Sequence, residues 1–298
     1  MISFNRNQRA SFMRKLAHYL SLVKFSHTLF AMPFALTGFF VATHHYGYPF
    51  DLKLLLLVIF CMITARNAAM SFNRYIDREW DKKNQRTTRR EIPAGIISPK
   101  NALVFAISNA VLFVFITFFI NRLCFYLSPI ALLIILGYSY TKRFTPYSHF
   151  ILGIGLGIAP VGAFLAVAGQ FHLLPVILSF AVWAWVSGFD IVYALQDEEF
   201  DRNNKLFSIP AMVGTQKALW LARLMHVISA TLIAIFTIGV GINWQLTFSA
   251  IIFVALLIYQ HIKIKSDDLS NINFVFFTIN GFASLMYAIF AIWGLCIK

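Results

Sequence analysis

The chain reads as an all-α, polytopic membrane protein with about nine transmembrane helices, and three observations lead there. Of its 298 residues 59% are hydrophobic and only 12% charged, with 32 Phe, more apolar surface than a soluble core of this length needs. Apolar segments of about 18–23 residues recur along the whole chain, each long enough to cross roughly 30 Å of hydrocarbon at ~1.5 Å per residue. Lysine and arginine fall almost entirely into alternate loops between those segments.

Taken in order, the chain opens with residues 1–20, which are basic, free of acid and weakly amphipathic. Such a segment suits an interfacial helix on anionic lipid or a short organellar transit peptide. With no cleavage pattern ahead of the first span, the interfacial helix is the expectation, and 1–298 is expected to be a single transmembrane domain. The spans then run Leu22–Ala42, Leu54–Ser71, Leu103–Ile120, Leu123–Tyr140, Phe150–Ala168, Leu173–Leu195, Ala218–Val240, Leu246–Ile264 and Ile272–Leu295.

The loops between them justify the division. One side receives Arg6, Arg9, Arg14, Lys15 and Lys24, the run from Arg74 to Lys100, then Lys142 and Arg143, then Arg202, Lys205, Lys217 and Arg223, and finally Lys263 and Lys265. The other side receives Lys53, Arg122 and Lys298. By the positive-inside rule the N-terminus and the cation-rich loops are cytoplasmic, the C-terminus lies across the membrane, and the number of spans is odd. The net charge of +13 is thereby assigned to topology, and a nucleic-acid partner is not expected. A bacterial inner membrane suits this arrangement.

Cys61, Cys124 and Cys296 are isolated within apolar segments. Without paired spacing they imply neither a disulfide framework nor a metal knuckle, and burial as small hydrophobes is expected. The adjacent His44 and His45 do not have the spacing of a converging ligand pair.

Acid is scarce, and where it occurs it is patterned. Asn73, Asp77 and Asp81 stand four residues apart where the second span reaches a polar loop. If the helix continues, all three share one face, and Arg66, seven residues before Asn73, lies on the same stripe one level deeper. One Asn and two Asp on one face can supply hard oxygen ligands to Mg2+, which takes one or two carboxylates and completes its shell with water and substrate phosphate. The other reading is a solvated helix end, in which Arg74, Asp77, Arg78, Asp81 and Lys82 form surface ion pairs.

The second row weakens that alternative by repeating the spacing. Asp190, Tyr193, Asp197 and Asp201 fall on one helical stripe, and Asp190 lies deepest, inside an apolar span where an idle carboxylate is costly. Two facing acidic rows repel one another unless divalent cations bridge them to a polyanion. A diphosphate is the simplest such polyanion.

These motifs resemble the UbiA-type membrane prenyltransferases, which include the 4-hydroxybenzoate polyprenyltransferases of quinone biosynthesis. The likeness extends over nearly the whole chain. Beyond both acidic rows it includes Asn84-Gln85-Arg86-Thr87 and Arg90-Glu91-Ile92-Pro93-Ala94-Gly95, Tyr138-Ser139-Tyr140-Thr141-Lys142-Arg143-Phe144-Thr145, and Ser208-Ile209-Pro210. One position departs: many members carry Asn-Asp where this chain has Asn73-Arg74, so the ligand count is not transferable unchanged.

The resemblance implies helices packed around a central cavity and Mg2+-dependent transfer of a polyprenyl chain from its diphosphate to the ring of an aromatic acid, 4-hydroxybenzoate or another quinone-pathway acceptor such as a menaquinone precursor. It implies metal ligands among Asn73, Asp77, Asp81, Asp197 and Asp201. Lys142 and Arg143, with Lys24 assisting, are the candidates for gripping the diphosphate. Arg66 is a candidate for phosphate or for the aromatic carboxylate, and Tyr193 and Asp190 for positioning the aromatic ring or accepting its proton. Glycines at 153, 155, 157 and 162 either open a lateral path for the lipid tail or allow close helix packing. The competing class is an ion-coupled transporter, in which Asp190 and Arg66 would line an ion pathway; no internal repeat or pair of broken helices supports it.

Overall fold

The computed structural model describes residues 17–23 and 30–297. Residues 17–22 are helical, while most of the expected interfacial segment, and Lys24, lie outside the described residues. No β-strand occurs among the described residues; the one bridge, Lys265 with Asp268, closes a turn.

Helix α1 (Met32–Phe40) takes Pro33 in its first turn, where a missing N–H costs nothing, and runs into a π turn at Val41–His45. Then follow α2 (Leu52–Ile76), the short α3 (Arg78–Lys83), α4 (Pro99–Phe118), α5 (Arg122–Thr141), α6 (Ser148–Ala168), α7 (Leu173–Ala194), the short α8 (Glu198–Asn203) and α9 (Ile209–Val213), α10 (Thr215–Val240), α11 (Trp244–Lys263) and α12 (Ile272–Cys296). Asp51, Ser98, Asn121 and Asn243 cap α2, α4, α5 and α11, each side chain accepting a hydrogen bond from a first-turn backbone N–H.

Among the described residues eight helices are long and apolar enough to cross a membrane. They match the second to ninth expected spans. The first is represented by α1 and its π turn, since residues 24–29 are not described.

The bundle is built around α7, the most buried span, which packs between α6 and α10. Its Trp185 and Phe189 join Phe34, Phe253 and Tyr287 in an aromatic core. The indole of Trp185 donates to Asn280 Oδ1 at 3.1 Å, which keeps a polar group satisfied deep in the bundle. Glycine sets the closest approaches. A Cβ on Gly153 would stand 2.3 Å from Ser187 Oγ and 2.8 Å from the Trp183 carbonyl, so α6 and α7 meet there only because it is absent. Gly155 and Gly162 instead border an apolar cavity. Cys61 is buried and Cys124 half-buried, but Cys296 is exposed at the end of α12, contrary to the expectation of burial for all three.

Candidate active site

At the end of the bundle where α2, α5 and α7 finish lies a polar cavity of about 250 Å³. Arg66, Asn73, Asp77, Asp81, Lys142, Arg143, Asp190, Tyr193, Asp197 and Asp201 all line it. Of the site residues read from the sequence, only Lys24 is missing from this set, and it lies outside the described residues.

The two acidic rows reach the cavity by bending. Helix α2 stops at Ile76, and its last carbonyls, which have no helical partner, are taken by guanidinium donors: Arg78 Nη1 donates to Tyr75 O at 2.7 Å and Arg143 Nη2 to Ile76 O at 2.8 Å. Asp77, at φ −89° and ψ 3°, turns the chain into α3. Helical hydrogen bonding nevertheless continues through the row, from Asp77 N to Asn73 O at 2.9 Å and from Asp81 N to Asp77 O at 2.8 Å. The helix expected to continue through the row does so in its hydrogen bonding, with a bend at Asp77. Asn73 Nδ2 also donates to Asp77 Oδ2 at 3.0 Å. The second row bends likewise, with Asp190 and Tyr193 on α7, Asp197 ending a 3-10 turn and Asp201 on α8.

Each carboxylate of the two four-residue repeats faces a cation from another segment. Arg86 grips Asp197 with two bonds, Nε to Oδ1 at 3.0 Å and Nη2 to Oδ2 at 2.5 Å, while Asn84 Nδ2 adds a third to Oδ1 at 2.9 Å. Arg90 Nη1 stands 2.6 Å from Asp81 Oδ1. Arg143 lies 3.5 Å from Asp77, and Lys142 Nζ 3.5 Å from Asp201 Oδ2. The buried guanidinium of Arg74 approaches Asp81 Oδ2 at 4.0 Å and adds a second cation beside that carboxylate.

These pairings decide the charge states. Burial, reinforced by Asp81, raises the Asp77 carboxyl to about 6 against the opposing pull of Lys142, Arg143 and Arg90. For Lys142 burial works against the charge, but Asp201, Asp197, Asp190 and Asp77 together outweigh it and hold its pKa above the ordinary lysine value. Arg86 behaves in the same way, its desolvation overcome by the bonds to Asp197.

The donor set suits a hard divalent cation. Among the described residues no three Asp, Glu, His or Cys converge into a closed metal cage. The oxygen of Asp81 that faces Arg74 is buried and lacks a hydrogen bond, and one or two carboxylates per ion, completed by water and phosphate, is the manner in which Mg2+ is usually held.

A second, apolar cavity of about 350 Å³ lies between α2, α5 and α6 and continues from the polar one; Arg66, Met70, Tyr138, Leu152 and Leu156 border both. Arg66 at this junction has its Nε buried without a partner. Tyr138 borders the same junction. Arg86, Arg90, Tyr138 and His149 also line the polar cavity, although the acidic spacing gave no reason to select them. Arg86, Arg90 and Tyr138 fall in segments already matched to the family, whereas His149 carries no sequence signal.

The model of the UbiA prenyltransferase family matches residues 31–285. Curated relatives named 4-hydroxybenzoate octaprenyltransferase include one from Vesicomyosocius okutanii, 29% identical over 74% of this chain and 81% of its own length. Another, from Tolumonas auensis, is 30% identical over 72% of this chain and 74% of its own. Among solved structures, the apo form of a UbiA homolog from Aeropyrum pernix superposes with a TM-score of 0.81 at 28% identity, covering 90% of this chain and 98% of that one. A UbiA homolog from Archaeoglobus fulgidus bound to DMAPP and Mg2+ shares the fold, with a TM-score of 0.74 at 18% identity over 94% and 99% of the two chains. With the family model covering most of its length and the fold in agreement, this integral membrane chain belongs to the UbiA prenyltransferase family.

Proposed function

We propose that the protein transfers a polyprenyl group from its diphosphate to the ring of an aromatic acid, most simply 4-hydroxybenzoate, in quinone biosynthesis at the cytoplasmic side of a bacterial inner membrane. The observation that carries this reading is the meeting of three environments at one point: a carboxylate and cation-rich cavity, an apolar cavity, and between them Arg66, whose buried Nε has no hydrogen-bond partner among the described residues. A prenyl diphosphate needs the first two, and an acid acceptor needs the third.

Mg2+ held by Asn73, Asp77, Asp81, Asp197 and Asp201 would neutralise the diphosphate and favour its departure. Lys142, Arg143, Arg86 and Arg90 would release their carboxylate partners and turn to the diphosphate oxygens, so that cations already in place meet the charge that develops as the allylic C–O bond breaks. The Tyr138 ring, at the junction, offers its negative face to the allylic cation. Leu152, Leu156 and the apolar walls exclude water that would otherwise capture it. Arg66 would hold the acceptor carboxylate, Tyr193 would flank the ring, and the ring carbon would form the new C–C bond. Asp190 then receives the displaced ring proton.

Arg66 provides the test of acceptor class. Arg66→Met is expected to raise KM for the aromatic acid by about 10- to 100-fold, the range for losing one charge-assisted interaction, with KM for the prenyl diphosphate unchanged. Steady-state kinetics with each substrate varied in turn measure both. An Arg66→Met enzyme impaired only towards the diphosphate would move this residue from the acceptor to the leaving group.

A further inference from the structure

His149 is fully buried at the start of α6, where it borders the polar cavity. Its Nδ1 lies 2.7 Å from Asp190 Oδ2. On the far side of the ring, Nε2 receives the backbone N–H of Ile209 at 3.4 Å, where the Ser208-Ile209-Pro210 segment enters α9. A peptide N–H can only donate, so Nε2 must be the acceptor. The imidazole proton therefore sits on Nδ1 and is donated to Asp190.

Asp190 makes no other protein hydrogen bond among the described residues, and its side chain is 21% exposed. One carboxylate oxygen is thus tied down from behind while the group faces the cavity. Placed near the end of α7, four residues before Ala194, an untethered carboxylate would be free to rotate towards the Lys142 charge that also acts on it. The histidine opposes that rotation. A second proton on Nε2 would collide with the Ile209 amide, so in this arrangement His149 serves as a hydrogen-bond donor and does not carry the proton onward.

We infer that His149 is a positioning residue for the aromatic half of the reaction: by donating from Nδ1 it fixes Asp190 in the orientation that receives the acceptor's proton, and it anchors this pair to the Ser208–Pro210 segment through Ile209. The inference rests on the prenyl-transfer reading above. It goes beyond that reading because it assigns a role to a fully buried side chain that acts through Asp190. A buried histidine satisfied by two neighbours is more often only a packing element, so the test must separate the two bonds.

Asparagine and glutamine make that separation. An Asn amide nitrogen can occupy the place of Nδ1 and keep the bond to Asp190 while giving up Ile209. A Gln side chain reaches the Nε2 position and keeps Ile209 while giving up Asp190. Prenyl transfer is measured for wild type, His149→Asn, His149→Gln, Asp190→Asn and the double variant His149→Gln/Asp190→Asn, with each substrate varied.

His149→Gln is expected to lower kcat by roughly 10- to 100-fold, the size of one hydrogen bond to a charged group, leaving KM for the prenyl diphosphate unchanged. His149→Asn should recover most of that loss, and the double variant should be no slower than Asp190→Asn, since the histidine acts only through the aspartate. Equal rates for Asn and Gln, or a Gln variant faster than Asn, would overturn the inference. An Asn enzyme as slow as Asp190→Asn would do so even if the Gln variant failed to fold. A wild-type enzyme without aromatic prenyl transfer would overturn the underlying reading and the inference together, whereas an active wild type matched by both His149 variants overturns the inference alone.

Discussion

Replacing Asp197 by alanine is expected to lower prenyl transfer by about 10³-fold or more, a loss of roughly 4 kcal/mol of transition-state stabilisation, while leaving a folded protein. Asp197 is buried and takes three hydrogen bonds, two from Arg86 and one from Asn84. Removing it deletes a proposed metal ligand and also the anchor that holds Arg86 over the site. The fold should survive because Arg86 keeps its bond to the Tyr193 hydroxyl at 2.8 Å and its side chain is 28% exposed. The lost pairing is then expected to cost about 1–2 kcal/mol of stability and no more. Turnover under saturating substrates, set beside a melting curve in detergent, separates the two effects. Near-normal turnover would remove Asp197 from the chemistry.

Removal of divalent ions should be equally severe, and its pH dependence is fixed by Asp77. Exhaustive chelation is expected to abolish turnover, and Mg2+ to restore it, because the proposed ligands are all hard oxygens. Without metal, the Asp77 carboxyl is raised to about 6 by burial and by Asp81. A raised carboxyl favours the folded state while it is protonated, and that contribution disappears as pH rises through about 6. A bound divalent ion reverses the sign, since it favours the ionised carboxylate and competes with the proton. The rise in melting temperature on adding Mg2+ should therefore be large at pH 7.5 and should shrink at pH 5. An equal rise at both values would show that Asp77 is not part of the ion's site.

The legibility of the chain follows from the range of the forces involved. Eight spans could be read directly because each is a contiguous apolar stretch whose insertion depends on its own residues, and the loop cations between them marked the boundaries. The acidic rows were legible for a related reason: a four-residue repeat of Asn73, Asp77 and Asp81 is a local signal, and helical hydrogen bonding does continue through it. The bend at Asp77 was not legible. It depends on Arg143, supplied from beyond α5, accepting the duty of satisfying the Ile76 carbonyl.

The pairing of particular cations with particular carboxylates was hidden by the same non-locality. Arg86 and Asp197 are separated by 111 positions, and no spacing rule connects a loop residue to an acid on another helix. Positive-inside topology accounts for Arg86 and Arg90 without assigning either a partner. His149 was hidden more thoroughly, because a single histidine at the head of an apolar span carries no periodicity and its partners lie on α7 and at the first residue of α9. Arg66 stands between these cases: its stripe with Asn73 was readable, but its position between two cavities required the packing of α5 and α6 against α2.

Transfer itself is the most direct test. Purified protein, reconstituted in lipid with Mg2+, is given a labelled polyprenyl diphosphate and a panel of aromatic acids that includes 4-hydroxybenzoate, and products are identified by mass. The account predicts a ring-prenylated aromatic acid formed in equal amount with released diphosphate. Release of diphosphate with only the prenyl alcohol as product, or no consumption of the prenyl donor with any acid in the panel, would contradict it.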